Sequence, residues 1–174
     1  MICIISATNR HQALTLQVAQ HYQNQLQEAG ITSQILDLQG LPPDFAYSAL
    51  YQNAGKNPTF NQFQEVIDRH EKFIFVVPEY NGSFPGVLKT FIDGLRYPGS
   101  FQDKKAALVG LSSGMQGGAL ALSHLSDILA YLGTEVLSLR LKLYRIEAHF
   151  AEGKLTLPLF QDLLQQQMAR FLQF

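Results

Sequence analysis

The chain has 174 residues, 47% of them hydrophobic, with thirteen basic against fourteen acidic side chains and a formal net charge of -1. That length fits one domain able to bury about seventy per cent of its unfolded surface, and the composition is far from that of a disordered chain. No run of Lys or Arg marks a phosphate-backbone footprint, so a nucleic-acid partner is excluded as well.

In chain order, Ile2 to Ile5 form a short, nearly all-apolar run ending in Ser6, as expected of a central parallel strand covered on both faces. From Ala13 the apolar positions Leu14, Val18, Tyr22, Leu26 and Ala29 recur at helical spacing, and Gly30 supplies the cap. Strands follow at Ser33 to Leu38 and at Phe73 to Val77. Between them, Gly40 to Thr59, with Pro42, Pro43, Gly55 and Pro58, reads as a long loop that covers a site or a partner. A helix with Val87, Leu88, Phe91, Ile92 and Leu95 on one face precedes a fourth strand at Ala106 to Leu111. A helix carrying Leu122, Leu125, Leu129 and Leu132 ends near Gly133, Val136 to Leu141 supply a fifth strand, and Phe160 to Leu172 mark the last helix. Alternating strands and helices imply parallel pairing through right-handed crossovers, hence a doubly wound α/β sheet with helices on both faces. Nothing divides residues 1–174 into more than one domain.

In such a sheet, ligands sit beyond the carboxyl ends of the strands. Three loops meet that condition. Ser6 to Thr15 opens the first helix, and free N–H groups there, the hydroxyls of Thr8 and Thr15 and the charge of Arg10 suit a phosphate; the plainer alternative is a capped turn with a solvated arginine. Pro78-Glu79-Tyr80-Asn81-Gly82-Ser83-Phe84-Pro85-Gly86 is stiffened by its prolines and opened by its glycines, and suits the edge of a flat heterocycle carrying both donors and acceptors. Ser112-Ser113-Gly114-Met115-Gln116-Gly117-Gly118 lets backbone N–H groups approach a ligand, but has neither the Lys-Ser/Thr ending of a nucleotide P-loop nor dinucleotide spacing. Each of these two loops also reads as a tight packing turn.

Together the loops resemble those of the NAD(P)H-dependent FMN reductase family, which includes azoreductases, quinone reductases and chromate reductases. The run Pro78 to Lys89, continuing to Ile92-Asp93, carries most of the likeness, and the element order agrees along the chain. The resemblance implies a flavodoxin-like fold with five parallel strands in the order 2-1-3-4-5, bound FMN, NADPH or NADH as electron donor, and a homodimer or homotetramer. It implies that Thr8, Arg10 and Thr15 hold the FMN phosphate and that Pro78, Glu79, Tyr80, Asn81 and Gly82 border the isoalloxazine. Ser112, Ser113, Gly114 and Gly117 would close its other edge. Relatives usually carry Gly in place of Ala7 and Ser in place of Ala13, and a missing neutral hydrogen bond of about 1 kcal/mol weakens flavin binding without abolishing it.

Flavin supplies the redox chemistry, so no catalytic side chain is assigned; the expected acceptors are free flavin, a quinone, an azo or nitro compound, or a metal oxyanion. Glu79 is expected to point to solvent or to a partner subunit. Phe45, Tyr47 and Tyr51, on the Gly40 to Thr59 loop, are expected to cover a neighbouring subunit's site. The five histidines have no metal-binding spacing. A phosphatase fails because six residues separate Cys3 from Arg10 and Cys3 lies inside a strand; a response-regulator receiver fails because Ser6 and Ala7 stand where acids are needed. The remaining alternative is a flavodoxin-like electron carrier or a flavin-free regulator, and the near-neutral charge disfavours the carrier. Without a secretory-type start, a membrane-spanning stretch or a second cysteine, a cytoplasmic protein is expected.

Overall fold

Alternation of side chains along each strand explains how one sheet is covered twice. In the computed structural model, which describes residues 1–174, β1 (Ile2–Ser6), β2 (Ser33–Asp37), β3 (Lys72–Pro78) and β4 (Lys105–Leu111) run parallel in the order β2-β1-β3-β4. Ile2, Ile4, Ile74, Val76, Ala107 and Val109 face one side, against α1 (Leu14–Glu28) and α7 (Pro158–Gln173). Cys3, Ile5, Phe73, Phe75, Ala106 and Leu108 face the other, against α3 (Pro58–Arg69), α4 (Gly86–Gly94) and α5 (Ala119–Tyr131). Both registers agree with a period of two residues. Cys3 is wholly buried and free, and burial pushes its thiol pKa up to about 12, with Lys104 pulling weakly the other way.

The fifth strand of the sequence reading is two. β5 (Glu135–Val136) pairs with β4 at Lys105 and Ala106, and β6 (Leu141–Leu143) pairs with it again at Val109 to Leu111. Between them the carbonyl of Leu108 faces an edge with no strand. Gln167, fully buried on α7, fills that gap: its Nε2 donates to Leu108 O at 2.9 Å and to Leu139 O at 2.8 Å, while its Oε1 accepts from the Tyr22 hydroxyl. A buried amide thus satisfies what a strand would otherwise satisfy. No helix is long and apolar enough to cross a membrane.

The Gly40 to Thr59 segment is more ordered than a loop. It holds α2 (Phe45–Ser48) and a 3₁₀ turn at Tyr51–Asn53, and α3 starts at Pro58, capped by the Asn57 side chain, which accepts from Phe60 N–H at 3.0 Å. Phe45 is turned inward and stacks on Phe60, with ring centroids 5.9 Å apart, so it cannot cover a neighbour; Tyr47 and Tyr51 stay outside. Lys89 and Asp93, one turn apart, form a surface ion pair at 2.7 Å. After β6 come α6 (Ile146–His149) and a small hairpin of β7 (Phe150–Ala151) and β8 (Lys154–Leu155).

Candidate functional site at the strand ends

The carboxyl ends of β1, β3 and β4 surround a cleft of about 250 Å³, lined among others by Arg10, Thr15, Pro78, Glu79, Tyr80, Ser112 and Ser113. Seven of the twelve residues expected at the site therefore meet at one place. Three larger grooves lie elsewhere, about 750 Å³ between α4 and α5, about 970 Å³ along the open β6 edge and about 440 Å³ beside Gln23, Gln27 and Gly30 at the end of α1. The smaller cleft is the one that gathers the three loops past the carboxyl ends of the strands, where ligands of a doubly wound sheet sit.

The first loop leaves its donors unused. Ala13 stands at the N-cap without a side-chain oxygen, α1 has no acid in its first turn, and the backbone N–H groups of Ala13, Leu14 and Thr15 find no acceptor in the protein. Such a helix start attracts an anion. Arg10 is exposed and forms no ion pair, and Thr15 is buried beside the N–H groups. Thr8 does not line the cleft; it lies buried behind it, its Oγ1 accepting from Arg10 N–H at 3.3 Å and lying 2.8 Å from the Tyr80 hydroxyl oxygen. Ser6, the last residue of β1, is fully buried and its hydroxyl has no partner.

The second loop is a clamped turn. Tyr80 N–H donates to Ser83 O at 2.8 Å and Ser83 N–H to Tyr80 O at 3.0 Å, with Asn81 (φ 51°) and Gly82 (φ 72°) between them in the left-handed region. This is the Asn-Gly arrangement that closes a two-residue turn, and it leaves the Asn81 and Gly82 N–H groups free. Ser83 Oγ meets His124 Nδ1 of α5 at 2.9 Å, and Glu79 N–H donates to Leu111 O at 2.8 Å, so the turn is tied to the rest of the fold on two sides. Glu79 is partly buried and lines the cleft.

In the third loop the glycines divide. A Cβ on Gly114 would meet nothing within 4 Å, whereas one on Gly117 would lie 2.6 Å from the Lys142 carbonyl carbon. Gly117 N–H donates to Ser112 Oγ at 2.9 Å, and that hydroxyl donates to Gly114 O at 3.0 Å. Gly117 therefore shapes the loop from behind while the N–H groups of Ser113 to Gln116 stay unpaired. Ile146 and Glu147 also line the cleft, and the sequence reading missed them. The rule that ligands lie past strand ends points to them once the last strand is extended to Leu143.

A donor-rich helix start, a rigid turn with free N–H groups and a glycine loop together fit the phosphate and the ring edge of a flavin nucleotide. The model of the family described as NADPH-dependent FMN reductase matches residues 1–140. The chain belongs to that family. The reductase is 32% identical to an NAD(P)H-dependent FMN reductase of Pseudomonas aeruginosa over 143 residues, 80% of this chain and 76% of the relative. It is 31% identical to a 2-hydroxy-1,4-benzoquinone reductase of a Burkholderia species over 134 residues, 75% of this chain and 70% of the relative. Its structure superposes on FerB, a flavoenzyme NAD(P)H:(acceptor) oxidoreductase of Paracoccus denitrificans, with a TM-score of 0.78 at 25% identity, covering 99% of this chain and 94% of the other. The fold is flavodoxin-like, and the reductase is an FMN-dependent NAD(P)H oxidoreductase, which sets aside the carrier and regulator readings.

Proposed function

We propose that residues 1–174 form one flavin-binding unit whose cleft at the strand ends holds FMN, and that its acceptor is a small quinone-like molecule. The observation that carries the site is the uncapped start of α1, with three N–H groups without acceptors beside Arg10. FMN held there would supply the redox chemistry between NAD(P)H and the acceptor. The chain's own residues then have three tasks. Thr8, Arg10, Thr15 and the N–H groups of 13–15 bind the phosphate; Pro78 to Gly82 border the ring; Ser113 and Gly114 offer backbone donors at its other edge, with Ser112 and Gly117 fixing that loop's shape. The cleft is smaller than the roughly 300–1,000 Å³ of common small-molecule pockets, which fits a site that encloses only part of a nucleotide and leaves a ring face open to the acceptor. The quinone reading draws on the reductases of 2-hydroxy-1,4-benzoquinone and of other quinones among the relatives.

The test is a titration with FMN, then NADPH and NADH without oxygen, then a benzoquinone, followed at the flavin's visible absorbance. The expected result is saturable binding, bleaching by at least one nucleotide and recovery of colour on adding the quinone. Bleaching with no recovery by quinone, but recovery by an azo dye, a nitro compound or a metal oxyanion, would overturn the acceptor class. Binding without bleaching would overturn the enzyme.

The same reading makes the protein a cytoplasmic homodimer. Support for a reducing compartment comes from the single buried thiol of Cys3. Support for a dimer comes from Tyr47 and Tyr51, 84% and 81% exposed on the segment before α3. Light scattering is expected to give twice the 19.5 kDa mass of the chain, and a monomer at working concentration would refute it.

A further inference from the structure

The Thr8–Tyr80 contact joins the phosphate loop to the turn assigned to the flavin ring, across 72 residues of sequence. A threonine hydroxyl has one hydrogen to give and two lone pairs to fill. On Thr8 Oγ1, one lone pair takes the Arg10 N–H at 3.3 Å, near the long limit for such a bond. The Tyr80 hydroxyl at 2.8 Å is either the second donor or the acceptor of the Thr8 hydrogen. Thr8 is 1% exposed, so its hydrogen cannot turn to bulk water, and no other protein acceptor stands within reach of it. Tyr80 is partly buried, lines the cleft and has its backbone clamped by the Ser83 bridge, and its hydroxyl rests against Thr8 Oγ1. The two orientations of the pair are therefore chosen by what lies in front of Thr8. With no anion, Thr8 donates to Tyr80, which donates to water. With an anion, Tyr80 donates to Thr8 and Thr8 donates to the anion, and each bond polarises the next.

We propose that Tyr80 is a positioning residue for the phosphate: its hydroxyl fills Thr8 Oγ1 and turns the Thr8 hydrogen towards the anion, which favours FMN over riboflavin. This rests on the reading of the cleft as the FMN site. It moves the Tyr80 hydroxyl from the ring end of the cofactor, where the loop resemblance puts the residue, to the phosphate end.

The experiment titrates the chain, Tyr80→Phe and Thr8→Val with FMN and with riboflavin, following flavin fluorescence. Tyr80→Phe keeps the ring and removes one hydroxyl. Its FMN affinity is expected to fall about five- to tenfold while riboflavin affinity stays unchanged. Thr8→Val is expected to lower FMN affinity by at least as much, and adding Tyr80→Phe to it should cost nothing further. Thr8→Ser, which keeps the hydroxyl, should restore the dependence on Tyr80. Equal losses for FMN and riboflavin in Tyr80→Phe would mean that the hydroxyl serves the ring or only fixes the loop, and would overturn the relay. No loss for either would overturn it too. If the unaltered chain binds FMN no better than riboflavin, the phosphate reading itself fails and the relay falls with it, an outcome separate from the other two.

Discussion

Gly117→Ala is expected to destabilise the fold by about 3 kcal/mol, seen as a lower urea midpoint with little change in slope. Gly117 is buried with φ at 57°, where a Cβ costs roughly 1–2 kcal/mol by itself. The added carbon would lie 2.6 Å from the carbonyl carbon of Lys142 and 2.9 Å from the backbone nitrogen of Leu143. Those atoms cannot retreat freely, because β6 is held to β4 in the register Gly110 with Lys142 and Leu111 with Leu143. Either β6 peels away or the loop shifts and breaks the bond from Gly117 N–H to Ser112 Oγ. The second route also deforms the donors of Ser113 to Gln116, so FMN affinity should fall with stability. Gly114→Ala in the same loop meets open space and should leave stability within about 0.5 kcal/mol. A Gly117→Ala protein as stable as the parent would refute this account of the loop.

Arg10→Ala is expected to weaken FMN binding about 10- to 150-fold and to leave riboflavin binding almost unchanged. A hydrogen bond to a charged group contributes about 1.5–3 kcal/mol, and each 1.4 kcal/mol is tenfold in affinity. Arg10 lines the cleft and has no carboxylate partner, so no internal bond must break before it turns to an anion. Glu79 and Glu147 line the same cleft, and without Arg10 their charges would act against a phosphate unopposed by any lysine or arginine of the lining. Arg10→Lys should recover part of the loss, since an ammonium supplies charge but not the two-pronged guanidinium geometry. The exposure of Arg10 makes the effect salt-dependent, smaller at high ionic strength than at low. An FMN affinity indifferent to Arg10 would place the phosphate elsewhere.

The central strands were legible in the sequence because they are apolar on both faces and too short for buried helices, whereas their order came from the family resemblance. Phe73 to Val77 packs alternately into both cores, and only a doubly covered strand requires that. The broken edge was not legible. Val136 to Leu141 reads as one strand, yet between its two ends the group that meets β4 is a glutamine on the last helix, whose place in space no local pattern reveals. Phe45 illustrates a second limit: an aromatic residue among prolines and glycines suggests a surface loop, yet tertiary packing on Phe60 draws it in. The site was readable as three loops at one sheet edge, and Arg10, Thr15, Pro78, Glu79, Tyr80, Ser112 and Ser113 line the cleft. The division between Gly114 and Gly117 was hidden, since it depends on where β6 crosses behind the loop.

Quinones are electrophiles as well as electron acceptors, and they add readily to thiolates. An enzyme with the quinone-like acceptor proposed above would risk being arylated by its own substrate. The sole sulfhydryl of this chain is sealed inside β1 and stays protonated at any physiological pH. Cysteine-directed inactivation is thereby closed off, and slow loss of activity in the presence of a quinone would have to be traced to amines or to the flavin.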